Sequence, residues 1–392
     1  MPPKGGSQLV LLRLASILLA GLCLAGCGAS ARLDAVPSGA GAVSFLRIPN
    51  ARFDDDDGEA LKQEIWQSLT REWPSLSNTM LAMSGGQEDG AFGAGVLVGW
   101  SERGDRPQFK IVTGTSTGAL AAPFVFLGTE YDGVLKKIYT ETPPSEVIAS
   151  KRFLLSAVNN DSLMDNTPLA RSIDKYLDIR ILDRIAEEYE KGRLLLVSTT
   201  NLDTGKPVIW NIGAIAASGH PSRLRLVRKV MLAAASIPGL FPPVMIDVLL
   251  DQTKLQEMHV DGGASSQVFL YPPSLRLGNI LSRDEAQRPA AYVIRNGRVS
   301  PPPGKVERKT LAIAGRAIET MIANQGIGDL YRIYTTAQRD RIDFSLALIG
   351  EDFKHPYSGP FDRAYMLKLF EYGLGRGITG TAWQKTPPGY VR

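Results

Sequence analysis

Twice in quick succession an apolar run ends in a glycine-rich turn and opens into a helix, and this grammar limits the chain to few folds. The first unit is Thr79-Met80-Leu81-Ala82-Met83, then the loop Ser84-Gly85-Gly86-Gln87-Glu88-Asp89-Gly90, then a helical stretch through Trp100. The second is Phe109 to Thr113, then Gly114-Thr115-Ser116-Thr117-Gly118, then a helix to Leu127. Strands that alternate with helices pair in parallel. Further on, residues 160–190 have helical periodicity. Arg193 to Thr199 and Pro207 to Asn211 read as strands joined by the turn Thr200 to Lys206. Ala291 to Ile294 and Ile342 to Leu348 are strand candidates on either side of a mostly helical Glu307 to Arg339. The alternation predicts an α/β protein with layers around a mostly parallel central sheet. With 44% hydrophobic and 21% charged residues, the chain can bury such a core. The apolar stretch Met231 to Leu250 is not a membrane span, because Pro238, Pro242, Pro243 and Asp247 interrupt it.

Ser116 stands in Gly-x-Ser-x-Gly between a strand and a helix. That is the setting of a nucleophile elbow: small residues let the turn close, and the positive end of the following helix faces the serine. A serine there can also do no more than cap the helix. The loop from Ser84 to Gly90 again follows a strand and opens a helix, so its N–H groups can cradle an anion. A dinucleotide site would need an acidic residue at the end of the next strand, and none is there. An oxyanion hole for acyl transfer fits better, with Gly85, Gly86 and Gln87 as candidate donors. A nucleophilic serine also needs a proton acceptor. Met258-His259-Val260-Asp261-Gly262-Gly263 reads as a strand ending in an acid and two glycines. The chain has only three histidines, His220, His259 and His355. On a strand, His259 would face the same side as Asp261. His355 would suit the chain order of a Ser-Asp-His triad.

Taken in order, these motifs resemble the patatin-like phospholipase family: a Gly-rich loop (Gly85 to Gly90), Gly-x-Ser-x-Gly (Gly114 to Gly118) and Asp-Gly-Gly (Asp261 to Gly263). Ala234 to Pro243 is similar to the family's segment before the acid, and the resemblance covers about Thr79 to Pro273. It implies a three-layer α/β/α sandwich with a single catalytic domain, and no cofactor or metal. The implied activity is lipolytic: an acyl hydrolase cleaving carboxylic esters of phospholipids or other acyl lipids through an acyl-enzyme. Ser116 would be the nucleophile and Asp261 its general base, a dyad with no histidine between. Gly90, Gly114, Gly118, Gly262 and Gly263 would be the motif glycines. Two positions depart from the pattern. Gln87 stands where the family usually has a third glycine, and Asp89 where a basic residue is common. A subset of bacterial members shares Asp-Gly-Ala-Phe-Gly, as in Asp89 to Gly93. Gln87 puts a side chain into a loop that approaches substrate closely. A catalytically impaired lipid-binding lipoprotein, or a soluble-ester hydrolase or thioesterase with the same site, are therefore the alternatives.

Residues 1–26 carry Lys4 and Arg13 with an apolar run from Leu14 to Gly26, the pattern of a secretory signal peptide. Leu24-Ala25-Gly26-Cys27 resembles the bacterial lipoprotein box. Lipidated Cys27 would hold the protein in a Gram-negative envelope, at the outer membrane facing the periplasm, since Gly28 rather than Asp follows it. Cys23 would leave with the signal, so no disulfide could form within the mature chain. Residues 27–78 would be an anchored linker followed by a helix from Glu59 to Trp73, with Trp66 and Trp73 as packing residues. The run Asp54 to Asp57 lacks the ligand spacing of a calcium loop. Residues 79–275 would form the hydrolase core, and 276–392 a C-terminal α/β extension packed on it and able to cover a substrate channel. A formal net charge of +4 is too weak to argue for nucleic acid.

Overall fold

The computed structural model describes residues 32–40, 45–54, 58–70, 78–150, 162–279, 289–299 and 304–390. Nine strands form one sheet: β1 (Arg52–Asp54), β2 (Thr79–Met83), β3 (Ile111–Gly114), β4 (Leu194–Asn201), β5 (Lys206–Asn211), β6 (Val244–Leu250), β7 (Thr253–Asp261), β8 (Ala290–Arg295) and β9 (Asp343–Leu348). The order is β1-β5-β4-β3-β2-β8-β9, and the five strands from β4 to β9 along that path run parallel. On the other side, β5 and β7 both pair antiparallel with β4, while β1 pairs with β5 and β6 with β7.

β2 and β4 are buried at every position. Their side chains alternate between two cores. Leu81, Met83, Leu195 and Val197 face one side. There they meet the helices α2 (Gly90–Arg103), α3 (Thr117–Leu127), α6 (Ile179–Glu190), α8 (Arg223–Ala234) and α10 (Arg363–Thr379). Met80, Ala82, Leu194 and Leu196 face the other side, against α1 (Gly58–Thr70) and the C-terminal half of α9 (Thr310–Arg339). α4 (Asp132–Thr140), α5 (Thr167–Tyr176) and α7 (Ile212–Ala217) complete the set. The chain is thus a three-layer α/β/α sandwich, as the resemblance implies, with the mostly parallel centre that the alternation predicts.

Several boundaries differ from the sequence reading. The division at 275 does not divide the fold: β8 lies inside the sheet between β2 and β9, so residues after 275 complete the sheet rather than pack on it. Nor is the stretch ahead of Glu59 only a linker. Phe45, Ala51 and Phe53 are buried, and β1 extends the sheet. The helical stretch 160–190 is two helices, because the Asp178 carboxylate accepts from Arg180 N–H and Ile181 N–H, both at 3.0 Å, and starts α6 afresh. Trp66 is 48% exposed rather than packed. Trp73 and Asp55 to Asp57 lie outside the described residues, while Asp54 pairs with Arg52 at 3.1 Å. No helix among the described residues is long and apolar enough to cross a membrane.

Candidate active site

Ser116 sits between the end of β3 and the first turn of α3, with φ 53° and ψ −124°. A non-glycine residue held there is strained by about 1–3 kcal/mol. The turn is locked by Gly118 N–H donating to Thr115 C=O and Ala119 N–H to Ser116 C=O, each at 2.9 Å. Gly118 must be glycine, because any side chain would strike the carbonyls of Met83 and Ser84 at the end of β2. Gly114 packs equally close against Ala119.

Asp261 is the last residue of β7, opposite Thr199 of β4, and is buried. Its N–H donates to Ser236 C=O at 2.9 Å, and its Oδ1 accepts from Gly263 N–H at 2.7 Å. Oδ2 is buried without a hydrogen bond of full geometry, yet the Ser116 hydroxyl is near enough to act on the carboxyl. Burial pushes the Asp261 pKa up to about 6, against the opposing pull of the Ser116 hydroxyl and the Gly263 N–H. Gly262 lies against Ser198 and Gly263 against Gln267.

The histidines stand elsewhere. His259 is fully buried, with Nδ1 2.9 Å from Thr199 Oγ1 and Nε2 3.0 Å from Glu257 Oε2. Both ring nitrogens are thus occupied, and burial holds its pKa below the usual value. His220 Nδ1 accepts from Ser222 N–H at 3.0 Å, and His355 Nδ1 lies 2.9 Å from Pro356 C=O. None of the three lines the cleft that contains Ser116.

The loop after β2 corrects one expectation. Gly85 N–H donates to Gln267 C=O at 3.0 Å, so it is not a free donor, although Gly85 itself stands against Ser116. The N–H groups of Gly86 and Gln87 have no acceptor among the described residues, and neither has Thr117 N–H at the start of α3. Gly86 has φ 154° and lies so close to the Asn296 carbonyl that no side chain fits. Gln87 takes φ 53°, a left-handed backbone that disfavours a non-glycine residue by about 1–2 kcal/mol. Its side chain is exposed. Gly90 opens α2 against Thr117 and Tyr139. Beside it, Asp89 Oδ1 accepts from Tyr365 Oη–H at 2.8 Å, and burial pushes the Asp89 pKa up to about 7.

Three bracing residues were missed in the sequence. Asn296, just past β8, binds Ser84 Oγ through its N–H at 2.8 Å, Ser84 C=O through Nδ2 at 3.0 Å, and Gly93 N–H through Oδ1 at 3.1 Å. Gln267 holds Gly263 C=O through Nε2 at 2.7 Å. Asp329 of α9 accepts from Gln267 N–H at 2.7 Å. Asn296-Gly297 after a strand reads as a turn, and nothing local marks it as a brace.

Ser116, Asp261, Gly86, Gln87 and Gln267 share one cleft of about 510 Å³, with Ile237 and Pro238 on one rim and Ile318 and Met321 of α9 on the other. A second, apolar pocket of about 100 Å³ runs beside α3, lined by Leu120, Phe124, Ile138, Ile173 and Met231. Gln87 lines both spaces. Cys27 lies outside the described residues.

An α/β sandwich with a serine elbow at the end of a central strand, facing a buried aspartate, defines a class. Residues 81–272 match the family model described as patatin-like phospholipase, so the chain carries a domain of that family. No curated protein matches the sequence significantly. Among solved structures, VipD from Legionella pneumophila is similar with a TM-score of 0.36 and 13% identity, covering 79% of this chain and 68% of that one.

Proposed function

We propose that this protein is a serine acyl hydrolase that cleaves carboxylic esters of phospholipids or other acyl lipids, with Ser116 as nucleophile and Asp261 as its general base. The observation that carries the reading is the buried Asp261 carboxyl, raised to about 6 and set against the Ser116 hydroxyl with Oδ2 unpaired. A carboxylate reluctant to stay ionised is a stronger base than one in water, and it is still ionised at neutral pH. Ser116 Oγ attacks the ester carbonyl carbon as its proton passes to Asp261 Oδ2. The N–H groups of Gly86 and Gln87 receive the developing oxyanion, and the apolar pocket beside α3 takes the acyl chain. The leaving alkoxide takes the proton from Asp261. Water then attacks the acyl-Ser116 carbonyl, giving one proton to Asp261, which returns it to Ser116 Oγ as the fatty acid departs.

The test is kinetic. Ser116→Ala and Asp261→Asn should each remove most ester hydrolysis, about 10²-fold or more, while His220→Ala, His259→Ala and His355→Ala stay within about tenfold in folded protein. A histidine variant as damaging as Ser116→Ala overturns the dyad. The left-handed Gln87 favours a second reading, an impaired lipid binder. Failure of a fluorophosphonate to label Ser116 would select it.

The same proposal includes the envelope. Leu24 to Cys27 supports lipidation of Cys27 and attachment to the outer membrane on its periplasmic side. Cys27→Ser should abolish incorporation of labelled palmitate. Palmitate still incorporated after that change ends the lipoprotein reading.

A further inference from the structure

Helix α9 is packed for only half its length. Leu330, Ile333, Tyr334 and Ala337 are buried against the sheet. Toward its N-terminus the helix carries a face that nothing among the described residues covers. Ile313, Ala317 and Met321 form one row at four-residue spacing, and Ala314, Ile318 and Ile322 form the next. All six are exposed, Met321 at 70%, Ile318 at 56% and Ile313 at 54%. The charged pair Arg316 and Glu319, 3.3 Å apart, lies on the opposite side of the helix.

This face continues into the cleft, where Ile318, Met321 and Ile322 form one rim. Ile237 and Pro238, which also line the cleft, are apolar, and Pro238 is exposed. The approach to α9 is basic. Lys305, Arg308 and Lys309 are exposed. Lys309 is paired with Glu307 at 2.6 Å, while Lys305 and Arg308 have no acidic partner among the described residues.

We propose that the N-terminal half of α9 is a docking element for an anionic lipid surface. Its apolar rows lie among the acyl chains, Lys305 and Arg308 meet headgroup phosphates, and the cleft opens onto the lipid. An apolar helical face with unpaired cations at its margin is the composition of a helix that lies in a bilayer interface rather than spanning it. The occupant is a lipid surface rather than a protein because the face runs into the mouth of the cleft, and a protein seated there would close it. The proposal takes from the preceding section only that the substrate is a lipid.

The test uses the full chain with Ile313→Trp, reading the emission this tryptophan adds in the presence of vesicles of brominated phosphatidylglycerol and phosphatidylcholine in equal parts. Ile313 lies outside the cleft lining, and whatever residues 1–31 contribute to binding is common to every arm. The added emission should shift to the blue and be quenched. Vesicles of phosphatidylcholine alone, or the double change Lys305→Glu and Arg308→Glu, should require about tenfold more lipid or greater for the same quenching. Ala317→Asp should weaken it by a similar factor, because a charge then enters the apolar row. Emission that stays unshifted and unquenched overturns the proposal. So does a shift that grows with protein concentration in the absence of vesicles, since a second copy of the chain would then cover the face. Hydrolysis of a monomeric short-chain ester is measured alongside. Quenching without hydrolysis by the Ser116 protein defeats the acyl-hydrolase reading alone, and hydrolysis without quenching defeats the docking alone.

Discussion

Asp261→Asn should make the protein more stable while it removes activity, and the gain should depend on pH in a way set by the Asp261 carboxyl. The ordinary aspartate value is 3.8, and burial at the end of β7 raises it to about 6. The folded state therefore holds a proton on Asp261 that the unfolded chain releases between those two values. Folding stability from this group is fully present below 3.8 and is lost as pH rises through about 6. At ~1.36 kcal/mol per pH unit, the complete loss is ~3 kcal/mol. Asparagine is close in shape to the protonated acid. Its Oδ1 can keep the hydrogen bond from Gly263 N–H, and its Nδ2 can donate toward Ser116, so the variant should not suffer the loss. Urea unfolding of both proteins gives the difference directly. The advantage of the variant should be about 1 kcal/mol near pH 4.5 and about 3 kcal/mol near pH 8. Ester hydrolysis by the parent protein should rise as pH passes through about 6, because the proposed base acts as the anion. A variant whose advantage does not grow between these pH values would refute the reasoning, since Asp261 would then not be a carboxylate held against its preference. An advantage that grows, with hydrolysis intact in the variant, would preserve the electrostatics and reject the role.

Three further outcomes follow from the loop beside Ser116. Gln87→Gly should relieve the left-handed backbone and raise stability by about 1 kcal/mol, with hydrolysis little changed, because the N–H groups at 86 and 87 remain free; a rise of tenfold or more in kcat would mean that Gln87 distorts the loop. Asp89→Asn should stabilise the fold above pH 7 by a few kcal/mol and no more than about 4, since burial raises Asp89 to about 7 and its stability contribution is lost between 3.8 and that value; urea unfolding near pH 8 showing no gain would contradict it. Asn296→Ala leaves Ser84 C=O and Gly93 N–H without their side-chain partner, so stability should fall by about 2 kcal/mol. It should also lower kcat more than it changes KM, and steady-state kinetics with unchanged kcat would remove Asn296 from the positioning of the loop.

The candidate site was more legible than its supports. Ser116 and Asp261 announce themselves because each needs close glycine neighbours: Gly114 and Gly118 at the elbow, Gly262 and Gly263 after the acid. Sheet order was legible only in part. Alternation with helices marks β2 and β3 as strands of a mostly parallel sheet, but nothing local in Ala290 to Arg295 says that it pairs with β2 rather than closing a separate unit. The same limit hid β1: its three residues pair at the edge through a partner far along the chain. Gly85 was read as a donor because sequence shows which residues can approach substrate. It does not show which N–H already has an acceptor, and the Gln267 carbonyl comes from a loop far away in sequence. His259 was ambiguous for a similar reason: period-two alternation puts it on the side of Asp261, but only the packing shows that Thr199 and Glu257 enclose its ring.

The cleft gathers three unfavourable local states. Ser116 and Gln87 both hold φ 53°, and Asp261 keeps a buried oxygen unpaired. Such states persist only where the surroundings over-determine them, and each costs about 1–3 kcal/mol. The residues that impose them come largely from outside the serine elbow and from late in the chain. Asn296 holds the Ser84 carbonyl from the end of β8, Gln267 takes the Gly85 N–H, and Asp329 of α9 fixes the Gln267 backbone. The domain recognisable at 81–272 contains the strained residues but only one of these three braces. The physical unit of the site is therefore longer than the recognisable domain. Strand β8 supplies the pairing that keeps β2 in the middle of the sheet, and α9 joins Asp329 beneath the site to the apolar rim at its mouth. One helix thus links the bracing of Gln267 at the floor of the cleft to the face proposed to meet lipid.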